Sequence, residues 1–503
     1  MQDEDAAYVK KVAIGIAALF AVRAGMAIAT PLSYDEAYYW LLSKHLAAGY
    51  YDHPPMFAVL IRLGTLVGGH SELGVRLFTV PLGIAASWAL WRTVTILFQD
   101  LQVAARATLY FNLSLIAAGA FVAMTTDAPF LAASAFLMFF LAKIVESGRG
   151  AWWLAVGASA GFGMVTKYTM LFMGFSIVLW LLLVPEMRRW LVTPWPWLGC
   201  VLAAALFAPV ILWNAEHDWV SFILQFGRAN LSGRFPRGFI FGHVAGQITL
   251  ATPFIFALGA MGLSAFLVGR GGAKPGRVLI GTMFWPMTIY FLWQSLNKLV
   301  LFHWTAPVFI PLAVAAAVAH RMEWRGLWSR FSGLSRRLAV PVALVLTALL
   351  YLHALFLVLP LKRYDIIAQQ ISPGRSIAAE IDAVRARIGA DVVITTGYRL
   401  AGWLAFYLPS RSQVVQINER IRMANEPEPK PELFLGPLLY VMEERDSKLQ
   451  LVRALYGEVK EVGRLNRIKY GYVLDTFVLY SVARPKGDPL DRNPPPSNFS
   501  QSS

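Results

Sequence analysis

The feature that most restricts this chain is the recurrence of uninterrupted apolar stretches as long as a bilayer is thick. A helix needs roughly 20 such residues to cross the hydrocarbon core. The sequence offers about eleven stretches on that measure, two of them short and Gly-rich. Their approximate ranges are 10 to 30, 72 to 97, 105 to 123, 128 to 146, 151 to 166, 168 to 184, 196 to 213, 244 to 268, 278 to 294, 299 to 319 and 338 to 360. With 57% hydrophobic and only 15% charged residues, and a mean hydropathy of +0.53, the composition excludes a water-soluble domain. A polytopic α-helical membrane protein is expected. Its first stretch is longer than a signal-peptide core and is followed by many others, so it reads as a retained anchor.

The net charge of +15 does not form one basic face of the kind that binds nucleic acid. The lysines and arginines sit in short connections between spans. With the N-terminus in the cytoplasm, Lys10, Lys11, Arg106, Lys143, Arg149, Arg188, Arg189, Arg270, Lys274 and Arg277 all fall inside, as does the Arg321 to Arg337 series. The outer face then receives residues 31–71, the turns near Asp127, Lys167 and Lys298, and everything after about residue 361. The lone Cys200 excludes an intrachain disulfide and is expected to be a small buried hydrophobe.

The chain divides on this reading into a membrane domain over 1–360, an extracytoplasmic domain over 361–484 and a disordered Pro-, Ser- and Asn-rich tail over 485–503. Strand-like runs at 391–396 and 472–482, with a helix-like run from Leu400 to Tyr407 between them, predict that the second domain is a small α/β fold.

The first outer loop is too polar to cross a bilayer and too aromatic to float in water. Helical patterning on both sides of Pro54 and Pro55 predicts two amphipathic helices lying at the membrane surface. Asp35 and Glu36 follow Ser33 at a helix start, where acids can serve simply as caps. Their neighbours Tyr38, Tyr39 and Trp40 offer ring faces of the sort that line sugar and lipid sites, and Asp52 and His53 precede the rigid Pro-Pro turn. A site is therefore expected here, with Tyr38, Tyr39 and Asp52 contacting substrate.

Asp127 lies at the outer mouth of two spans, where an ionisable group must pair, face a cavity or cap the helix expected from Ala128. Lys167 interrupts an apolar stretch at another outer junction. It can snorkel to the interface or offer an ammonium to a lipid phosphate. Lys298 and His303 repeat the situation at a later outer turn. No metal-ligand spacing of the His-Glu-x-x-His type occurs, so no cofactor is expected to be required, and a divalent cation has little support in the sequence.

In Asp35-Glu36-Ala37-Tyr38-Tyr39-Trp40, Asp52-His53-Pro54-Pro55 and Thr126-Asp127-Ala128-Pro129 the chain resembles the ArnT-like and protein-mannosyltransferase-like membrane glycosyltransferases of family 39. Thr166-Lys167-Tyr168, His303-Trp304 and Tyr398-Arg399-Leu400-Ala401 are similar to the same group. A departure is His53, which stands where lipid A aminoarabinose transferases carry lysine. The resemblance implies a type C glycosyltransferase fold with an extracytoplasmic active site. It also implies a polyprenyl-phosphate-linked sugar donor and a glycolipid acceptor such as lipid A or the lipopolysaccharide core, in a bacterial inner membrane.

On this expectation Asp35, Glu36 and Asp127 form the catalytic set, and Lys167, His53, Arg399 and Lys298 receive the donor phosphate. His303 joins the substrate contacts. Asp35 either takes a proton from an acceptor hydroxyl or orients an acceptor phosphate. A protein O-glycosyltransferase of the same fold and a lipid or sugar transporter are the alternatives. The gathering of polar motifs on one face, with no obvious inverted repeat, favours an enzyme over a transporter.

Overall fold

The computed structural model describes residues 2–229, 239–361, 365–371, 373–446, 448–469 and 471–491. Among them, six helices are long and apolar enough to cross a membrane: Glu4–Ala29, Glu72–Phe98, Asp127–Ser147, Pro194–Glu216, Phe302–Arg321 and Leu327–Phe356. The pairs Tyr168–Leu183 with Pro185–Val192 and Phe239–Ala251 with Pro253–Leu267 raise the number to eight if each bent pair is one span. Helices also occupy the other expected positions. The stretch at 105 to 123 is divided at Ser114, which closes Leu101–Leu113 and caps Leu115–Ala120. The stretch at 151 to 166 yields the 13-residue helix Trp152–Met164.

One compact unit comprises Met1–Ala27, Phe78–Glu216 and Ala229–Tyr351. Its core is a continuous apolar cluster that includes Leu90, Phe111, Phe130, Leu137, Leu258 and Val314. Where two helices must approach closely, glycines allow it. A Cβ on Gly157 would lie 2.2 Å from the carbonyl oxygen of Gly199, so Trp152–Met164 and Pro194–Glu216 meet backbone to backbone. The buried Arg23 adds a polar tie between spans, donating to the Asn112 side chain at 2.7 Å and to its carbonyl at 2.6 Å. Asn112 in turn donates to Ser87 at 2.8 Å. In contrast to the expectation of burial, Cys200 is exposed on Pro194–Glu216. Trp197, Leu198 and Val201 around it are exposed as well; an apolar face of this kind is what a spanning helix turns towards hydrocarbon.

The second unit comprises Ile28–Leu77, His217–Arg228 and Leu352–Ser503, so the first outer loop is built together with the C-terminal chain. Its sheet has the order β2-β1-β3-β5-β4. The strands are β1 Val392–Thr395, β2 Gln413–Gln416, β3 Leu438–Glu443, β4 Tyr456–Lys469 and β5 Tyr472–Pro485. β1 runs parallel to β2 and β3, while β5 runs antiparallel to β3 and β4. β1 and β5 coincide with the two strand-like runs read from the sequence. Beyond β5, Leu490 is buried against the sheet and the Asp491 amide donates to Ile417 at 2.6 Å. The rest of the expected tail, residues 492–503, lies outside the described residues.

Two helices of this unit position the loop. Tyr34–Ser43 is buried along almost its whole length and packs against Tyr398–Tyr407. Tyr34 meets Trp403, Tyr38 meets Tyr398, and Trp40 meets Phe406 edge to face. This helix is thus enclosed by its own unit, because its aromatic residues find partners in the C-terminal chain. The second loop helix, Met56–Gly68, keeps an exposed apolar face at Leu63, Leu66 and Val67. The tight crossing rests on Gly402, where an added Cβ would fall 2.5 Å from the Tyr38 backbone nitrogen. Gly402→Val is expected to cost about 1–3 kcal/mol by overpacking. Thermal unfolding of the detergent-purified protein measures this, and an unshifted melt would show that the crossing tolerates a side chain.

Candidate functional site

The acids of the first loop begin alike and end in different surroundings. Ser33 caps the Tyr34–Ser43 helix in a full capping box: its hydroxyl accepts from the Glu36 amide at 3.2 Å, and the Glu36 carboxylate accepts from the Ser33 amide at 2.9 Å. The same carboxylate is held by both arms of Arg76, at 2.6 Å from Nε and 2.7 Å from Nη2. Arg76 Nη1 also donates to the Thr30 carbonyl and hydroxyl, each at 2.8 Å. Glu36, expected in the catalytic set, is therefore a fully buried anchor with both oxygens occupied.

Asp35, one residue earlier, takes no part in the cap. Its carboxylate is 43% exposed and forms an ion pair with Arg399 Nε at 3.3 Å. Arg399 is itself steadied by donating from Nη2 to Gln370 and by lying 5.5 Å from the Tyr34 ring centre. Tyr398–Tyr407 thus delivers its second residue to the acid at the start of the facing helix.

Asp52 continues the cluster. Its carboxylate accepts from Tyr38 at 3.0 Å and from Arg422 Nη1, 2.8 Å from each oxygen, while Gln225 donates to its carbonyl at 2.7 Å. Arg422 lies over the Tyr398 ring at 4.1 Å and also binds Glu419 at 2.7 Å. Burial first, and then the charge of Asp52, push the Tyr38 phenol well above its ordinary range, so it donates and does not act as a base. Tyr398 is pushed up to about 12, by burial and then by Asp35 and Asp52. Tyr39 and His53 complete the patch through an edge-to-face ring contact at 5.7 Å, with Phe57 beneath Tyr39 at 4.4 Å.

The remaining candidates belong to the other unit. Lys167 Nζ donates to Asp127 at 2.7 Å with both side chains nearly buried, and it lies 5.7 Å from the Phe130 ring centre. Asp127 is the first residue of its helix; the N-cap position is Thr126, which makes no side-chain cap. The acid therefore holds an ammonium where a cap was one expectation. Lys298 is half-buried after Lys274–Gln294, its amide donating to Gln294 at 3.0 Å. His303 is exposed in the 3-10 turn Phe302–Val308. Among the described residues, no group of three or more His, Cys, Asp or Glu side chains is placed to hold a metal ion.

Arg76 and Arg422 are the residues that sequence reasoning did not assign. Arg76 carried a weak signal, a basic group at the entry to an apolar span. Arg422 carried none, since 370 positions separate it from Asp52. Replacing Arg76 with Met should leave the Glu36 charge buried and unpaired, at a cost of about 3–5 kcal/mol. The double variant Glu36→Gln with Arg76→Met should recover part of that loss. A double-mutant cycle on thermal stability tests this, and strictly additive effects would exclude the coupling.

Three comparisons bear on this arrangement. The family model described as dolichyl-phosphate-mannose-protein mannosyltransferase matches residues 52–213. The lipid A galacturonosyltransferase RgtD of Rhizobium johnstonii is 25% identical over 398 residues, covering 76% of this chain and 79% of the relative. The crystal structure of ArnT from Cupriavidus metallidurans bound to undecaprenyl phosphate shares the fold with a TM-score of 0.63 at 15% identity, covering 93% of this chain and 97% of that one. The apo structure of the same ArnT gives 0.61 at 16% identity over the same shares. With its apolar helices and its small C-terminal sheet, the chain is a multi-pass membrane glycosyltransferase with the type C fold, similar to the ArnT-like, protein-mannosyltransferase-like group.

Proposed function

We propose that the chain is an inverting transferase that moves a sugar from a polyprenyl-phosphate donor to an envelope glycolipid, lipid A or the lipopolysaccharide core. It acts at the periplasmic face of a bacterial inner membrane, where the positive-inside pattern of the loops puts residues 31–71 and the C-terminal domain. The observation that carries this reading is the separation of the first-loop acids. Of Asp35, Glu36 and Asp52, whose side chains are 43%, 0% and 12% exposed, only Asp35 offers an accessible carboxylate, and a guanidinium fixes it. The donor class is supported by the undecaprenyl phosphate bound to ArnT, and the acceptor class by the lipid A specificity of RgtD. A protein acceptor is the second reading, favoured by the description of the family model. The longer alignment with RgtD gives the glycolipid precedence.

A polyprenyl-phosphate sugar carries a good leaving group. The bond from the anomeric carbon to the phosphate oxygen breaks, and its electron pair leaves with the lipid phosphate. An acceptor oxygen forms the new bond from the opposite face. The protein has to stabilise the phosphate charge and orient the acceptor. Lys167, oriented by Asp127, is assigned to the donor phosphate, with Lys298 and His303 at the same outer face. Arg399 holds Asp35, while Tyr38, Tyr39, His53 and Asp52 form the neighbouring wall. With a hydroxyl acceptor Asp35 takes its proton; with a phosphate acceptor Asp35 positions it. Side-chain cations supply the positive charge, and transfer is expected to persist after chelation with EDTA.

Asp35→Asn is expected to lower transfer from a polyprenyl-phosphate sugar in purified enzyme by about 10²–10⁴-fold, the usual range for a general base. Wild-type turnover in this variant would sink the assignment. Lys167→Ala should abolish donor use while the protein still purifies as a folded species, and unchanged donor kinetics would remove it from the site. Mass spectrometry of envelope lipids from a deletion strain should show lipid A or core lacking one sugar. An unchanged glycolipid profile with an underglycosylated protein would favour the second reading.

A further inference from the structure

The Tyr34–Ser43 helix carries the acidic motif at one end and a different chemistry at the other. Beyond its C-terminal end lies an open cavity of about 490 Å³ whose lining includes Trp40, Lys44, His45, His70, Arg411 and Glu426. None of these belongs to the Asp35 cluster. The Lys44 ammonium sits 3.9 Å from the Trp40 ring centre. Trp40 Nε1 donates to His70 Nδ1 at 3.0 Å, which leaves the other ring nitrogen of His70 to carry a proton. Arg411 holds a left-handed backbone at φ 56° and is tied by Nη1 to the Phe406 carbonyl at 2.9 Å. Arg62 adds its charge to the field felt by His45 and His70.

A lysine at a helix C-terminus is ordinary on its own, because it complements the macrodipole. That account covers Lys44 and leaves Arg411 and the two imidazoles around one cavity unexplained. The acid in the lining, Glu426, does not neutralise them in the usual way. Burial pushes its carboxyl up to about 7, and its Oε1 is buried without a hydrogen-bond partner. Burial thus weakens its charge at neutral pH against the opposing pull of Arg420 and Lys44, and in its protonated form it does not repel an anion. Beside these lining residues in sequence stand exposed apolar residues, Leu46 next to His45 and Leu63, Leu66 and Val67 in the Met56–Gly68 helix that ends just before His70, with Val67 79% exposed. Basic groups bordered by exposed aliphatic side chains match a headgroup phosphate with its acyl chains alongside.

We propose that this cavity binds the phosphate of a lipid headgroup, with Lys44, Arg411 and His70 as donors and the acyl chains against Leu63, Leu66 and Val67. The lipid is the glycolipid acceptor, gripped by its phosphate about 14 Å along the helix axis from Asp35, nine residues at roughly 1.5 Å each. A grip at such a distance holds ground state and transition state alike, so it acts on KM. The acceptor assignment rests on the function proposed above; the lipid-phosphate site does not.

Native mass spectrometry of the full-length protein in detergent tests both parts, with lipid A, phosphatase-treated lipid A, phosphatidylglycerol and inorganic phosphate as probes. Lys44→Gln and Arg411→Gln are expected to weaken lipid A binding by roughly fivefold each, with melting temperatures unchanged. Phosphatase-treated lipid A should bind the wild type and both variants equally weakly. In transfer assays the same variants should raise KM for lipid A with kcat preserved. If phosphatidylglycerol and not lipid A shows the variant-sensitive binding, the lipid-phosphate site stands and the acceptor assignment falls. Inorganic phosphate binding as tightly as lipid A would overturn the lipid component. Wild-type lipid A affinity in both variants would overturn the site itself. Because binding is read without turnover, these outcomes are independent of whether Asp35→Asn inactivates the enzyme.

Discussion

The guanidinium of Arg76, closed off from water and shared among Glu36, Thr30 and Pro31, is the contact on which the first loop depends. A buried charge pair is tolerable only when nearly every donor and acceptor is used, and here the geometry comes close to that limit. It fixes where the chain leaves its first apolar helix, where the Tyr34–Ser43 helix begins and which way its first turn faces. Tyr407 reinforces the same corner, accepting from the Leu32 amide at 2.8 Å and donating to Glu72 at 3.1 Å.

That anchoring divides the labour between two adjacent acids. Glu36 at the third helical position completes the cap and the buried pair, so Asp35 is released from structural duty and can face an accessible guanidinium. Asp52 is different again: Tyr38 and Arg422 occupy its carboxylate, and its effect is to hold a cationic and aromatic wall beside the Asp35 pair. The cation at 422 and the rings of Tyr38 and Tyr398 are mutually dependent, because the phenols stay protonated and the guanidinium has both a carboxylate and a ring face to rest on. The Asp127–Lys167 pair is a separate solution to a related problem, in which each charge at the edge of an apolar bundle gives the other its counterion.

Much of this was legible in the sequence. Apolar stretches of spanning length locate the helices because backbone polar groups cannot be left open in hydrocarbon. β1 and β5 announced themselves by dense β-branched and aromatic runs. β2 and β3 were not read from the sequence, and β4 was hidden by its charge. Tyr456–Lys469 is an edge strand rich in Lys, Arg and Glu, the composition that protects a sheet edge from pairing with another chain. The first-loop helix was legible as a helix, whereas the rings that its aromatic face meets were not, since amphipathicity does not say what an aromatic face will meet.

The sequence by itself determined the membrane class and the positions of the helices, because those follow from local hydropathy and residue type. Only the tertiary structure decided which acid is exposed and which is buried. Asp35 and Glu36 are adjacent and nearly identical in chemistry, and their fates are set by partners 364 and 40 positions away, Arg399 and Arg76. No local pattern encodes such partners: packing brings them together, and desolvation then fixes which carboxylate is left accessible.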